Sequence, residues 1–261
     1  MGKIVKVAFS IPTEGHTPPE SLQSIRMMSY HHGKLEVESR GKDVEFQFYD
    51  RSVGRMFTPM AREVAARDAL AAGMDYLFMV DDDMVCPFNL FEQLYRHQVD
   101  IVAPLAFTRN APYLAVLYKI TEGWDPIRRQ NYVINEWIKN WPKDKLVECD
   151  AVGFGAVLID LKVLKKIQQP YFMCSSGTGE DIWFCHQAKR QAGARIFMDT
   201  TTEIGHIGSP AIIGYSTYRE QNKPEDIEKL YGPYKYFGVY DVCHLKEASE
   251  ADKKEPEVLA W

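Results

Sequence analysis

Residues 76–83 read Tyr-Leu-Phe-Met-Val-Asp-Asp-Asp, five apolar side chains without alternation and then three carboxylates. A short uninterrupted apolar run suits a parallel strand covered on both faces, since neither face then meets water. The aspartates fall at its carboxyl end, which is where ligands bind in an open α/β sheet. Successive side chains on a strand face opposite ways, so Asp81 and Asp83 are expected to converge while Asp82 points elsewhere. Adjacent carboxylates repel and resist ionisation unless positive charge lies between them. Their hard oxygens suit Mg²⁺ or Mn²⁺, which keep positions open for substrate phosphates. The plainer alternative is a solvated acidic turn with one aspartate capping a helix.

Upstream of that stretch, Ile4–Ile11 is an apolar run ending at Pro12, followed by a loop over 13–19. Val44–Tyr49 reads as a second strand ending at Asp50. Thr58–Pro59 offers an N-cap and a proline at the first helical position, and an Ala-rich helix over 61–72 ends at Gly73. Downstream, Pro87 opens a helix that carries Leu90, Phe91, Leu94 and Tyr95 on one stripe, and Asp100–Phe107 returns as a strand. This alternation predicts a doubly wound α/β sheet.

The segment 108–148, with Trp124, Trp137 and Trp141 among charged and turn residues, has no clear period. Beyond it, Val152–Ile159 reads as a strand, Asp160 as a cap and Leu161–Ile167 as a short helix. Asp181–Ala192 reads as a helix closed by Gly193, and Ala194–Met198 as a strand. Residues 247–261 form a charged tail.

At 261 residues and 46% hydrophobic content the chain can bury one substantial core. A formal charge of −5 gives no whole-chain case for nucleic acid or an anionic membrane. Five cysteines without a Cys-x-x-Cys pair predict a reduced, cytoplasmic protein. Neither a signal peptide nor a stretch of about 20 apolar residues is visible, so any membrane association is expected to be peripheral.

Two further elements carry chemistry. Gly179-Glu180-Asp181 precedes the helix that starts Ile182-Trp183-Phe184. Acids there can complement the helix dipole, or one can serve as a general base. Ile204-Gly205-His206-Ile207-Gly208 sets a histidine between glycines, where backbone can approach a phosphate or metal closely. Asp150–Gly155 adds more glycines, useful either for close approach to a ligand or for tight packing.

Residues 61–70, Ala-Arg-Glu-Val-Ala-Ala-Arg-Asp-Ala-Leu, with 75–87, Asp-Tyr-Leu-Phe-Met-Val-Asp-Asp-Asp-Met-Val-Cys-Pro, resemble the GT-A glycosyltransferases, especially family 2-like members. The resemblance implies a GT-A fold: a Rossmann-like, doubly wound mixed sheet with a smaller acceptor-side subdomain. Residues 1–107 would be the nucleotide-binding half of a single domain over 1–246, and 108–246 the acceptor-binding half. It implies that Asp83 binds a metal most directly, that Asp81 contacts metal, ribose or both, and that His206 is a third ligand, a mixed set that favours Mn²⁺ over Mg²⁺. Asp82 falls in the donor-binding set, with a structural use as the simpler one. Asp181 would be the general base, with Glu180 as fallback. Pro12, Thr13, Glu14 and Asp50 would face base and ribose, and Arg62 would reach base or diphosphate. The implied activity is transfer of a sugar, with inversion, from a UDP-sugar or other nucleotide donor to a hydroxyl acceptor. That acceptor could be a glycan, lipid-linked glycan, protein, small molecule or modified base. After the second strand the chain departs from the family pattern, reading Asp50-Arg51-Ser52-Val53-Gly54. A sugar nucleotidyltransferase is the competing enzyme class, but Ile11–His16 lacks its Gly-rich loop with lysine. A non-catalytic nucleotide-sugar or glycan-binding module is the third reading.

Overall fold

The computed structural model describes residues 2–50, 52–127, 129–174, 178–208, 212–221 and 235–238; the charged tail at 247–261 lies outside them. Seven strands form one mixed sheet, in the order Leu146–Cys149, Ile196–Glu203, Ile101–Leu105, Ala156–Asp160, Tyr76–Val80, Lys3–Ser10, Val44–Asp50. Lys3–Ser10 runs parallel to both neighbours, whereas Ala156–Asp160 runs antiparallel to Tyr76–Val80 and to Ile101–Leu105. The doubly wound mixed α/β sheet expected from the sequence is therefore present. Both halves of the chain contribute strands to it.

Side-chain alternation splits the core into two layers. Tyr76, Phe78 and Val80 pack with Val5, Val7 and Phe9 on one face, beside the helices Pro19–Ser39 and Leu90–Tyr95. Leu77 and Met79 pack with Ala8 on the other, beside Ala65, Ala66 and Ala69 of the helix Thr58–Ala71 and Phe184, Cys185 and Ala188 of the helix Glu180–Ala192. The Tyr76–Val80 strand is buried at every residue, as an unalternating apolar run requires.

Several local readings change. The helix Pro19–Ser39 gave no sequence signal, because its buried face includes Ser21, Ser24, His32 and Ser39 beside Ile25 and Met28. Ser21 and Ser24 face the stretch after the aspartates: Ser21 Oγ donates to the Met84 carbonyl at 2.8 Å, and Ser24 Oγ accepts from the Cys86 amide at 2.7 Å. Thr58 is the first residue of its helix rather than the cap; Phe57 takes that place without a side-chain hydrogen bond. The strand expected at 152–159 breaks at Gly153–Gly155, so Ala151–Val152 joins a second sheet and Ala156–Asp160 the first. The helix after it is shorter than expected, Leu161–Leu164, though Asp160 does cap it by accepting from the Lys162 amide.

The unassigned middle segment is a β-hairpin, Leu117–Asp125 against Gln130–Trp137, in a four-stranded antiparallel sheet with Ala151–Val152 and Lys235–Gly238. Trp141 packs with Phe107, Tyr215 and Tyr218. Gly73 and Gly193 follow their helices at φ of +65° and +64°, the left-handed geometry glycine adopts without Cβ strain.

Candidate active site

Strand order sets the location. The ends of Tyr76–Val80 and Ile101–Leu105 open, with the Gly153–Gly155 break, onto a cavity of about 950 Å³, a size typical of small-molecule sites. Pro12, Glu14, Arg62, Asp81, Asp82, Asp83, Glu180, Asp181 and His206 all line it. Thr13 lies just behind, its hydroxyl donating to the Asp82 carboxylate. Asp50 does not line the cavity, because its strand is the sheet edge, one position beyond Lys3–Ser10.

The three aspartates do not obey strand alternation. The strand stops at Val80, and the Met84 amide donates back to the Asp81 carbonyl at 3.3 Å, so residues 81–84 form a turn. A turn rotates consecutive side chains apart, and the expected convergence of Asp81 and Asp83 is replaced by three separate partnerships.

Asp81 faces Arg62. The Arg62 Nη2 donates to both Asp81 oxygens at 2.6 and 2.8 Å and to the Phe154 carbonyl at 3.1 Å, while Nη1 donates to Glu180. The guanidinium is 2% exposed and its carbon lies 5.6 Å from the centre of the Phe154 ring. Burial alone would favour the neutral base, but Asp81 and Glu180 outweigh it and hold Arg62 charged. Burial also raises the Asp81 carboxyl to about 6, with Arg62 opposing the rise. Arg62 thus pairs with protein groups while also lining the cavity, where the family resemblance had it reach base or diphosphate.

Asp83 lines the same cavity with different partners. The strand Gly205–Ile207 pairs antiparallel with Met84–Val85, and the Ile207 amide donates to the Asp83 carbonyl at 2.9 Å. This backbone ladder places His206 Nε2 at 3.2 Å from Asp83 Oδ2. Nδ1 of His206 lies 2.8 Å from the Phe107 carbonyl, which can only accept, so Nδ1 carries a hydrogen and Nε2 points at the carboxylate. Gly205 permits the approach, since a Cβ there would meet Ile212 Cγ2 at 2.4 Å. Arg109 completes the group, its Nη2 donating to Asp83 Oδ2 and its Nε 3.5 Å from His206 Nε2. Burial would raise Asp83, but the His206 hydrogen bond and the charges of His206 and Arg109 hold it below the usual carboxylate range. His206 is raised, since its bond to Asp83 outweighs desolvation.

Asp181 lies in the first turn of Glu180–Ala192, where the helix dipole tolerates negative charge. Its Oδ1 accepts from the Ile182 amide at 2.7 Å. Glu180 carries the ion pair with Arg62, and among the described residues Asp181 has no direct ion pair of its own. Burial, then the neighbouring Glu180, raise Asp181 to about 6. Gly153 and Gly155 line the cavity and also allow tight packing: a Cβ on Gly153 would meet Val116 at 2.9 Å, and one on Gly155 would meet Met84 Cε at 2.2 Å.

A carboxylate oxygen and an oriented imidazole nitrogen form a donor pair that fits a divalent cation such as Mn²⁺. Asp81, tied to Arg62, is not part of that pair, and among the described residues no three His, Cys, Asp or Glu side chains form a metal cage. Arg109, Phe57, His16 and Cys174 also line the cavity and were not anticipated. For Arg109 there was a signal: it is the first charge after the apolar exit of the 101–105 strand, the same topological position that marks Asp81–Asp83.

No protein-family model and no characterised protein matches the sequence. Among solved structures, A197 from STIV aligns over 94% of this chain and 100% of its own, at 18% identity and a TM-score of 0.51, a likeness of fold. The catalytic domain of Drosophila β1,4-galactosyltransferase 7 in complex with xylobiose gives a TM-score of 0.40 at 19% identity, over 78% of this chain and 71% of that one. Apo UDP-glucose pyrophosphorylase gives 0.41 at 8% identity, over 84% and 97%. At those two scores the likeness bears on no activity.

Proposed function

We propose that the chain is a divalent-cation-dependent glycosyltransferase of the GT-A type, moving a sugar from a nucleotide-diphosphate donor, with UDP-sugars first to test, to an acceptor hydroxyl with inversion. The observation that carries this reading is the meeting of three sequence-remote elements, Asp81–Asp83, Glu180–Asp181 and His206, on one cavity at the carboxyl end of the sheet. The donor's base and ribose would lie at the Pro12, Glu14 and Phe57 end. Asp83 Oδ2 and His206 Nε2 would hold the cation, with donor oxygens filling its other positions. When bound, Mn²⁺ supplies Lewis-acid neutralisation of the charge that develops on the departing diphosphate.

Asp181 would take the acceptor hydroxyl's proton at a carboxylate oxygen as the alcohol attacks the anomeric carbon. A carboxyl near 6 is ionised at neutral pH yet basic enough for that task. Glu180 is the weaker choice for base, because its charge is spent on Arg62. The Arg62 guanidinium would keep Asp81 and Glu180 at fixed positions beside the base.

The test is transfer and hydrolysis of a UDP-sugar panel with Mn²⁺ and with chelator, with the product's anomeric configuration read by NMR. Cation-dependent UDP release with inverted product supports the reading. Pyrophosphate release, or tight donor binding without turnover across acceptors, would sink it.

A further inference from the structure

Arg109 is the one cation in the Asp83–His206 group whose side chain is free to leave. Its backbone is pinned: the Thr108 amide donates to the Leu114 carbonyl, Thr108 Oγ1 accepts from the Leu114 amide, and Phe107 bridges to Ala115. Its side chain is 53% exposed, against 18% for Asp83 and 20% for His206. The guanidinium donates to Asp83 Oδ2, the same oxygen that His206 Nε2 faces. A divalent cation held by that oxygen and that nitrogen would need the space the guanidinium fills and would repel its charge at contact distance. A half-exposed ion pair is weak enough to give way, typically no more than about 1 kcal/mol.

We propose that Arg109 is an exchangeable cation: it neutralises Asp83 beside His206 in the free protein and must swing out before a divalent cation can bind there. The proposal rests on the reading of Asp83 and His206 as the cation site. It gives the site a built-in competitor, so cation affinity depends on a residue that is not a ligand. The displaced guanidinium remains on the cavity wall, where its planar fork suits a phosphate.

The test is Mn²⁺ alone, without nucleotide, titrated by electron paramagnetic resonance and calorimetry into the wild type, Arg109→Ala, Arg109→Lys and Asp83→Asn. Arg109→Ala is expected to bind roughly three- to tenfold more tightly than wild type, because one opposing charge is gone. Arg109→Lys should fall between them, and Asp83→Asn should lose the site. A thermal melt of each variant checks folding. Unchanged or weaker Mn²⁺ binding in Arg109→Ala overturns the proposal, as does absence of Mn²⁺ binding in both proteins. UDP titrated into the same proteins separates the two claims. Tightened Mn²⁺ binding without any UDP binding upholds the exchange and removes UDP-sugars as the donor.

Discussion

Asp81 and Asp83 are two residues apart and live in opposite electrostatic settings. Asp81 meets a guanidinium that is 2% exposed, shared with Glu180 and capped by the Phe154 carbonyl and ring. Asp83 meets a guanidinium that is half in solvent and an imidazole on a short strand. The first arrangement is closed, since every charge in it is committed to another. The second keeps a replaceable member. The difference teaches that an acidic cluster is not a unit: a turn of four residues hands one carboxylate to a buried guanidinium and one to an exposed guanidinium and an imidazole.

Breaking the closed side should cost most. Arg62→Met leaves the part-buried Asp81 and Glu180 without their buried partner, and removing one member of such a set typically costs about 3–5 kcal/mol. Urea denaturation of the variant reads it directly, and a loss below about 1 kcal/mol would refute the closed description. Asp181→Asn tests the neighbour that has no such partner. Sugar transfer should fall roughly a hundredfold to ten-thousandfold with little change in stability. In the wild type, kcat/KM should drop about tenfold per pH unit below about 6, where the Asp181 carboxyl takes up its proton, and be flat above. An acid limb unchanged in Asp181→Asn would assign it to another group.

His32 sharpens the contrast, because it is buried with no counter-ion among the described residues. It is 3% exposed, stacks on Phe48 at 4.1 Å and edges against Phe9, and neither ring nitrogen has a hydrogen-bond partner. Arg62 keeps its charge on burial while His32 gives its up, lowered to about 4 by desolvation first and then by His31. The unfolded chain takes that proton near 6.5 and the folded one only near 4. Stability should therefore be fully present above 6.5 and fall by on the order of 2–3 kcal/mol as pH drops to 4. His32→Phe should flatten this part of the pH dependence; an unchanged slope would place the acid sensitivity elsewhere.

The smallest effect belongs to the open side. Asp83→Asn removes a half-exposed ion pair and should change stability by at most about 1 kcal/mol while abolishing the response to Mn²⁺. A large loss of stability would make Asp83 as structural as Asp81 and erase the contrast.

Much of the frame was legible in the chain. The run Tyr76–Val80 announced a strand buried on both faces, Gly73 and Gly193 marked helix ends, and Asp160 marked a cap. The helix Pro19–Ser39 was hidden because serines and a histidine interrupt the apolar stripe on its buried face, where Ser21 and Ser24 satisfy backbone groups at Met84 and Cys86. The hairpin over 117–137 was hidden because its polar positions outnumber its buried ones.

The sequence by itself determined which side chains exist to do chemistry and that the aspartates lie at the end of a buried strand, because apolar pattern and turn residues are local properties. Tertiary structure alone decided their partners. Arg62 reaches Glu180, and Arg109 and His206 reach Asp83, only because sheet order and the ladder between Gly205–Ile207 and Met84–Val85 bring distant segments together. Charge acts through distance and burial rather than through position in the chain, and so residues 81 and 83 came to hold different places in the molecule.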